Sequence, residues 1–306
     1  MDRTEHRIDI VRRMALACVV LILCVTSLSA FMRLSNAGLG CADWPACYGE
    51  QLRVAATAAL PSSSELTIAL ARMLHRLSAV IVLVLALTMV AASFLSRPKL
   101  SREGTLALGL VVLALGLAVL GRFTPGAKLP IVAIGNVLGG FAMLALSVLI
   151  WVGAKPGGRR SRSSIVLILL LVLQIAAGVL VSAGFAGLSC TGLPDCGMAV
   201  DASWSLLDPT RVPHFDATMP IHPEGAFAHM LHRGLALVVS LMVVVVAASA
   251  WKRGHRREAL VLAFLLVVQI ALGVFMVLTS LPFAAALLHN LVAALMLAAA
   301  GTSGRA

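Results

Sequence analysis

The sequence predicts an all-α membrane protein: eight transmembrane helices arranged as two parallel four-helix repeats, with both termini cytoplasmic. Three observations predict it. Of the 306 residues, 60% are apolar and only 12% charged, against about 25% charged in an ordinary soluble domain. The apolar residues fall in eight blocks, each near the ~20 residues that a bilayer core demands of a helix. The basic residues gather in alternate loops. A mean hydropathy of +1.00 excludes disorder and a soluble nucleic-acid binder, so the net charge of +11 reads as topology and not as a nucleic-acid partner.

The spans are placed at 14–34, 68–95, 105–121, 130–152, 165–186, 226–250, 259–280 and 284–301. Continuous apolar runs such as Ile165–Leu173 and Leu241–Ala250 make them helices, because barrel strands alternate polar with apolar. Arg3, Arg7, Arg12 and Arg13 precede the first span, and basic clusters follow spans 2, 4 and 6. With Arg305 that side holds 16 of the 24 basic residues, the opposite side five, and the span starts three (Arg72, Arg76 and Arg233). Such asymmetry puts both termini in the cytoplasm. The basic start and the small residues Ser27–Ala30 would also suit a cleaved signal peptide. The length of span 1, about 21 residues, and its place in a repeat favour a retained helix.

The repeat is direct. Ala37-Gly-Leu-Gly-Cys-Ala-Asp-Trp-Pro-Ala-Cys47 matches Ala186-Gly-Leu-Ser-Cys-Thr-Gly-Leu-Pro-Asp-Cys196 at an offset of 149, and Met73-Leu-His-Arg76 recurs as Met230-Leu-His-Arg233. Leu138, Met143 and Leu144 fall on Leu291, Met296 and Leu297. Four spans per unit keep both copies in one orientation, dividing the chain into 1–160 and 161–306. The long loops 35–67 and 187–225 each follow the first helix of a unit and carry one Cys-x5-Cys pair on the oxidising side. Disulfides Cys41–Cys47 and Cys190–Cys196 are the natural reading; a four-cysteine metal site or a redox-active pair are the alternatives. Cys18 and Cys24, inside span 1, read as core.

Few polar residues lie inside the spans, and those few carry the functional argument. His75, His232, His289 and Asn136 each sit five to seven residues into an even-numbered span, and so at one depth near the outer leaflet. His232 and His289, on two helices of one bundle, suit bis-histidine haem ligation. Interhelical hydrogen bonding and a zinc site that recruits His229 are the alternatives. Arg76 and Arg233 lie about 100° round the helix from the histidines they follow, facing haem propionates or lipid headgroups. Gln174 and Gln269 each precede Ile-Ala-x-Gly-Val, suggesting interhelical bonding or packing. Gly135, Gly139 and Gly140 suggest close helix contact or room for a planar macrocycle.

Together these residues resemble a family. Arg33-Leu-Ser-x-x-Gly-Leu-x-Cys-x-Asp-Trp-Pro-x-Cys, then His75-Arg76, a second cysteine loop, His232-Arg233 and His289 are similar to the haem A synthases over the whole chain. The resemblance implies an eight-helix pseudo-symmetric bundle in the bacterial inner membrane, cysteine loops on the outer face. It implies haem b as cofactor in the carboxy-terminal half on His232 and His289, with Arg233 beside them. The substrate haem O is implied in the amino-terminal half on His75, near Arg76 and Asn136. The implied reaction oxidises the C8 methyl of haem O to a formyl group for cytochrome oxidase, with membrane lipid, haem O synthase, oxidase assembly factors and an unidentified electron donor as partners. Two positions depart from the family pattern. Asn136 stands where the family has a second histidine, leaving an open axial position, and Arg72 stands where it has a carboxylate. Asp43, Glu50 and Glu65 are the candidates to replace that acid. A non-catalytic haem-delivery protein or a cytochrome b-type electron carrier of the same fold is the rival expectation.

Overall fold

The computed structural model describes residues 3–39, 44–48, 62–123, 129–153, 161–197, 200, 204–213 and 224–303. Eight helices long and apolar enough to cross a membrane occur among them: α1 (Arg3–Asn36), α2 (Ser62–Phe94), α3 (Ser101–Phe123), α4 (Pro130–Val152), α5 (Arg162–Ala183), α6 (Gly225–Lys252), α7 (Arg256–Leu278) and α8 (Phe283–Thr302). A short 3-10 turn covers Trp204–Leu207. The boundaries follow the apolar blocks closely except at the starts of α1 and α2, which begin well before the lipid-length segments. Hydropathy marks where lipid begins, whereas backbone bonding extends a helix into water; the Asp9–Arg13 pair at 2.7 Å, one turn apart, lies on that extension.

Local signals set several ends. Ser161 caps α5 by accepting from the Ser164 amide at 3.2 Å. Pro130 opens α4, and Gly153 closes it in the left-handed conformation at φ 61°.

The helices close into two rings. α1 packs on α2 and α4, α2 on α3, and α3 on α4; α5 packs on α6 and α8, α6 on α7, and α7 on α8. Between the rings α4 meets α8, and the contact of α4 with α5 is matched by that of α8 with α1. One core runs through this junction, including Cys18 and Ile22 of α1, Phe141 and Leu144 of α4, Leu171 of α5 and Met296 and Leu297 of α8. Small residues let the helices approach: a Cβ on Gly140 would stand 3.1 Å from Thr26, while Gly135 and Gly139 face Leu120 and Leu117 of α3. Those three glycines therefore serve helix contact. The outward faces carry Val84, Leu169, Leu241 and Phe264, the apolar surface a spanning bundle presents to lipid. Cys18 is buried, but Cys24 is exposed, which corrects its reading as core: six residues turn a helix by about 600°, so the two cannot share a face.

At the cysteine-loop end the first loop is sewn onto the second half. Trp44 Nε1 donates to the Ser280 carbonyl at 3.0 Å, and Tyr48 packs edge-on against Trp44 and Phe185. The Tyr48 oxygen accepts from the backbone of Gly187, and burial pushes the phenol well above its usual range. Leu34, Leu39 and Leu188 complete the cluster. At the other end Arg7 of α1 donates to the carbonyls of Arg97 and Pro98 in the α2–α3 turn.

Candidate functional site

The ring of α5 to α8 gathers its polar residues at one level. His232 of α6 and His289 of α8 are half-buried. Neither imidazole stands alone. Gln269 of α7 places its amide nitrogen 3.0 Å from His289 Nε2. Gln174 of α5 places its own 3.2 Å from His232 Nδ1 and 3.4 Å from Nε2, and also donates to the His232 carbonyl at 3.2 Å. One turn further along, α5 and α7 each present a glycine to the ring. A Cβ on Gly178 would stand 2.9 Å from His232 Cε1, and one on Gly273 would stand 3.5 Å from His289 Cε1. Two histidines, two glutamines and two glycines thus line one interior column.

The helix ends place each glutamine near the level of its histidine. Gln174 lies nine residues before the end of α5 (183 − 174) and His232 seven after the start of α6 (232 − 225). Gln269 lies nine before the end of α7 (278 − 269) and His289 six after the start of α8 (289 − 283). At 1.5 Å per residue each pair is level to within about one turn. The interhelical bonding that the sequence suggests for Gln174 and Gln269 is present, though hydropathy alone does not show that the histidines are the partners.

His229, one turn before His232, is buried and its Nδ1 donates to the Ala186 carbonyl at 3.1 Å, tying α6 to the start of the second cysteine loop. Cys190 and Cys196 are bonded to each other there, with Cα atoms 4.4 Å apart. This removes the four-cysteine metal site for that loop. Cys47 is likewise disulfide-bonded, but Cys41, its expected partner, lies outside the described residues, as do Asp43, Glu50 and the side chain of Glu65. Arg233 turns its guanidinium onto the second loop, donating to the carbonyls of Gly192 at 2.8 Å, Asp195 at 3.1 Å and Cys190 at 3.3 Å. Its visible role is to clamp the disulfide loop against α6.

The first ring is built differently at the matching level. His75 of α2 is half-buried, while Arg72 and Arg76 are exposed and line a shallow groove with Met73, Leu77 and Val80. Asn136 of α4 is half-buried and makes contacts of its own. Arg33 reaches across the junction between the rings. It donates to Ser182, the residue 149 positions on that aligns with it, and to Asn290 Oδ1 at 3.4 Å.

A bis-histidine haem fits the second ring on its own chemistry. His289 Nδ1 and the amide oxygens of Gln174 and Gln269 are buried with no hydrogen-bond partner. Each glycine lets an imidazole lie close against its helix, most tightly at Gly178, where a Cβ would crowd the ring. Unbonded polar atoms inside a spanning bundle are costly and mark a site.

Fold and site together define a polytopic helical membrane protein with a histidine-lined column inside one of its two helix rings. A family model described as cytochrome oxidase assembly protein, COX15-CtaA, matches residues 12–300. The chain is 31% identical over 315 residues to the heme A synthase of Shewanella oneidensis, covering 91% of each protein. The heme A synthase of Rhizorhabdus wittichii is 31% identical over 168 residues, 52% of this chain and 47% of that protein. That of Novosphingobium aromaticivorans is 32% identical over 170 residues, 53% and 46% respectively. The chain belongs to the COX15-CtaA family of cytochrome oxidase assembly proteins.

Proposed function

We propose that this protein is a haem A synthase: an oxidoreductase that takes haem O from the bilayer and converts its C8 methyl to a formyl group, supplying haem A to cytochrome oxidase. The observation that carries the reading is the histidine column of the second ring, in a chain whose full-length similarity is to a heme A synthase. The chain divides by function into 1–160, the substrate half, and 161–306, the haem b half. It sits in the bacterial inner membrane with both termini cytoplasmic and both cysteine loops outside, an orientation supported by the basic residues of the α2–α3, α4–α5 and α6–α7 loops.

His232 and His289 hold haem b, which when bound supplies one-electron relay to the substrate half. The second ring excludes water from that site and fixes the two ligand rings. His75 would hold haem O, and Asn136, a poor ligand, would leave its iron open to oxygen. Arg76 stands near enough to His75 along α2 to meet a propionate. Haem O synthase, oxidase assembly factors and an electron donor are its working partners.

One observation favours a second reading. Arg72 occupies the position at which the family pattern has an acid, which suits a haem-delivery protein or a cytochrome b-type carrier that does no chemistry on the porphyrin. Co-expression with a haem O synthase, followed by chromatography of extracted haems, separates the two. Haem A appears if the chain is the synthase. Accumulation of haem O alone, with haem b bound to the protein, leaves the delivery reading.

A further inference from the structure

Glutamine occurs at only three positions in this chain, 51, 174 and 269, and two of the three stand against the paired histidines. The two contacts repeat one pattern. In α5 and in α7 a glutamine is followed four residues later by a glycine, one turn along the same face. The neighbouring helix sets its imidazole into the notch between them. Both amide nitrogens lie within 3.2 Å of a ring nitrogen. Both amide oxygens are buried and unbonded, and so is His289 Nδ1, on the side of the ring that Gln269 does not hold.

The amino-terminal half has no counterpart. At the offset of 149, Gln174 and Gly178 fall on Val25 and Ser29. The α2/α6 and α4/α8 matches run at offsets of 157 and 153, and at any offset in that range Gln269 falls within residues 112–116, Val-Leu-Ala-Leu-Gly. No amide can stand there.

We propose that Gln269 is the positioning residue of His289. Its amide holds Nε2 by accepting the N–H there, so that Nδ1 is aimed at the haem iron, while Gln174 fixes the rotation of His232 by standing against its ring and donating to its carbonyl. The inference rests on the haem b assignment above. The oxygen and nitrogen of an amide exchange places by a half-turn about one bond, and at Gln269 that turn breaks no other hydrogen bond. It brings the unbonded oxygen to the ring and leaves Nδ1 as the free lone pair. An acceptor behind a ligand imidazole fixes its tautomer and rotation and raises its basicity. A more basic axial ligand favours the oxidised iron and lowers the reduction potential.

The test uses full-length purified protein carrying Gln269→Met or Gln269→Glu, with His232→Ala as control. Haem content, the g-values of the low-spin signal and the midpoint potential are measured for each. Methionine keeps the length of glutamine without the acceptor, and the potential shifts upward; glutamate strengthens the acceptor, and the potential shifts downward. Unchanged potentials and g-values in haem-loaded variants, or shifts of the same sign for both substitutions, overturn the proposal. Where the methionine variant arrives without haem, the glutamate variant decides. A downward shift supports the role; an unmoved potential, or loss of haem there too, overturns it. Loss of the low-spin signal in His232→Ala alongside unmoved potentials overturns this proposal alone. Wild-type protein without low-spin haem overturns the haem b assignment and this proposal with it.

Discussion

The two rings share a chain path but not an interior. In the second, each histidine of the column is backed by a glutamine and a glycine from the preceding helix. In the first, His75 has the exposed Arg72 one turn before it and the exposed Arg76 about 100° round α2, and Asn136 is half-buried on α4. A resident cofactor needs ligands held in one geometry, whereas a substrate must enter, react and leave. On the proposed assignment, the amides and glycines are concentrated where permanence is needed. The junction between the rings is itself specific: Arg33 of α1 bonds its own repeat-mate Ser182 and Asn290 of α8. The two interiors are fixed relative to one another through polar bonds as well as through packing.

The sharpest way to break the comparison is to remove the ligand of one ring and read the other. His75→Ala is expected to reduce haem A formation to background in cells that make haem O, while the low-spin spectrum of the purified protein stays as in wild type. Loss of that spectrum would place haem b in the first ring. Asn136→His runs the opposite way, making the first ring resemble the second. It is expected to stop turnover and to add a second low-spin signal, because the open axial position closes; electron paramagnetic resonance of protein purified with haem O reads this. Unimpaired haem A formation in that variant contradicts the open-position role.

Smaller effects separate the two notches of the second ring. A methyl on Gly178 enters 2.9 Å from His232 Cε1, whereas one on Gly273 reaches His289 at an ordinary 3.5 Å. Gly178→Ala should lower haem content more than Gly273→Ala, measured by pyridine haemochrome per mole of protein. Equal losses would mean that the glycines make room for the macrocycle and not for the rings. The smallest effect belongs to the loop. Cys190→Ser opens a short disulfide loop, costing on the order of 2 kcal/mol of stability, and appears as a lower unfolding temperature with haem content retained. Arg233, bonded to three carbonyls of that loop, is the residue whose substitution should mimic it.

Much of the fold is written in the sequence, because lipid demands long apolar blocks and leaves nothing else to read. The fourth span, 130–152, coincides with α4, and the Cys190–Cys196 pair is present. The start of α1 was not legible, since nothing in hydropathy distinguishes a helix that continues into water from a loop. Cys24 needed the helical angle as well as the span. His232 and His289 stand out as rare polar groups in apolar helices, but the partners of His232 come from 58 positions away. Only depth in the bilayer relates the two. The same limit hid Arg233, whose loop partners lie some 40 positions earlier; the helix alone suggests an outward-facing charge.

The central claim, that the second ring is the haem b site, is tested most directly by the visible spectrum of the protein purified as wild type, His232→Ala and His289→Ala. The wild-type protein should carry low-spin haem b, and each substitution should abolish its spectrum. An unchanged low-spin spectrum in both variants would contradict the claim.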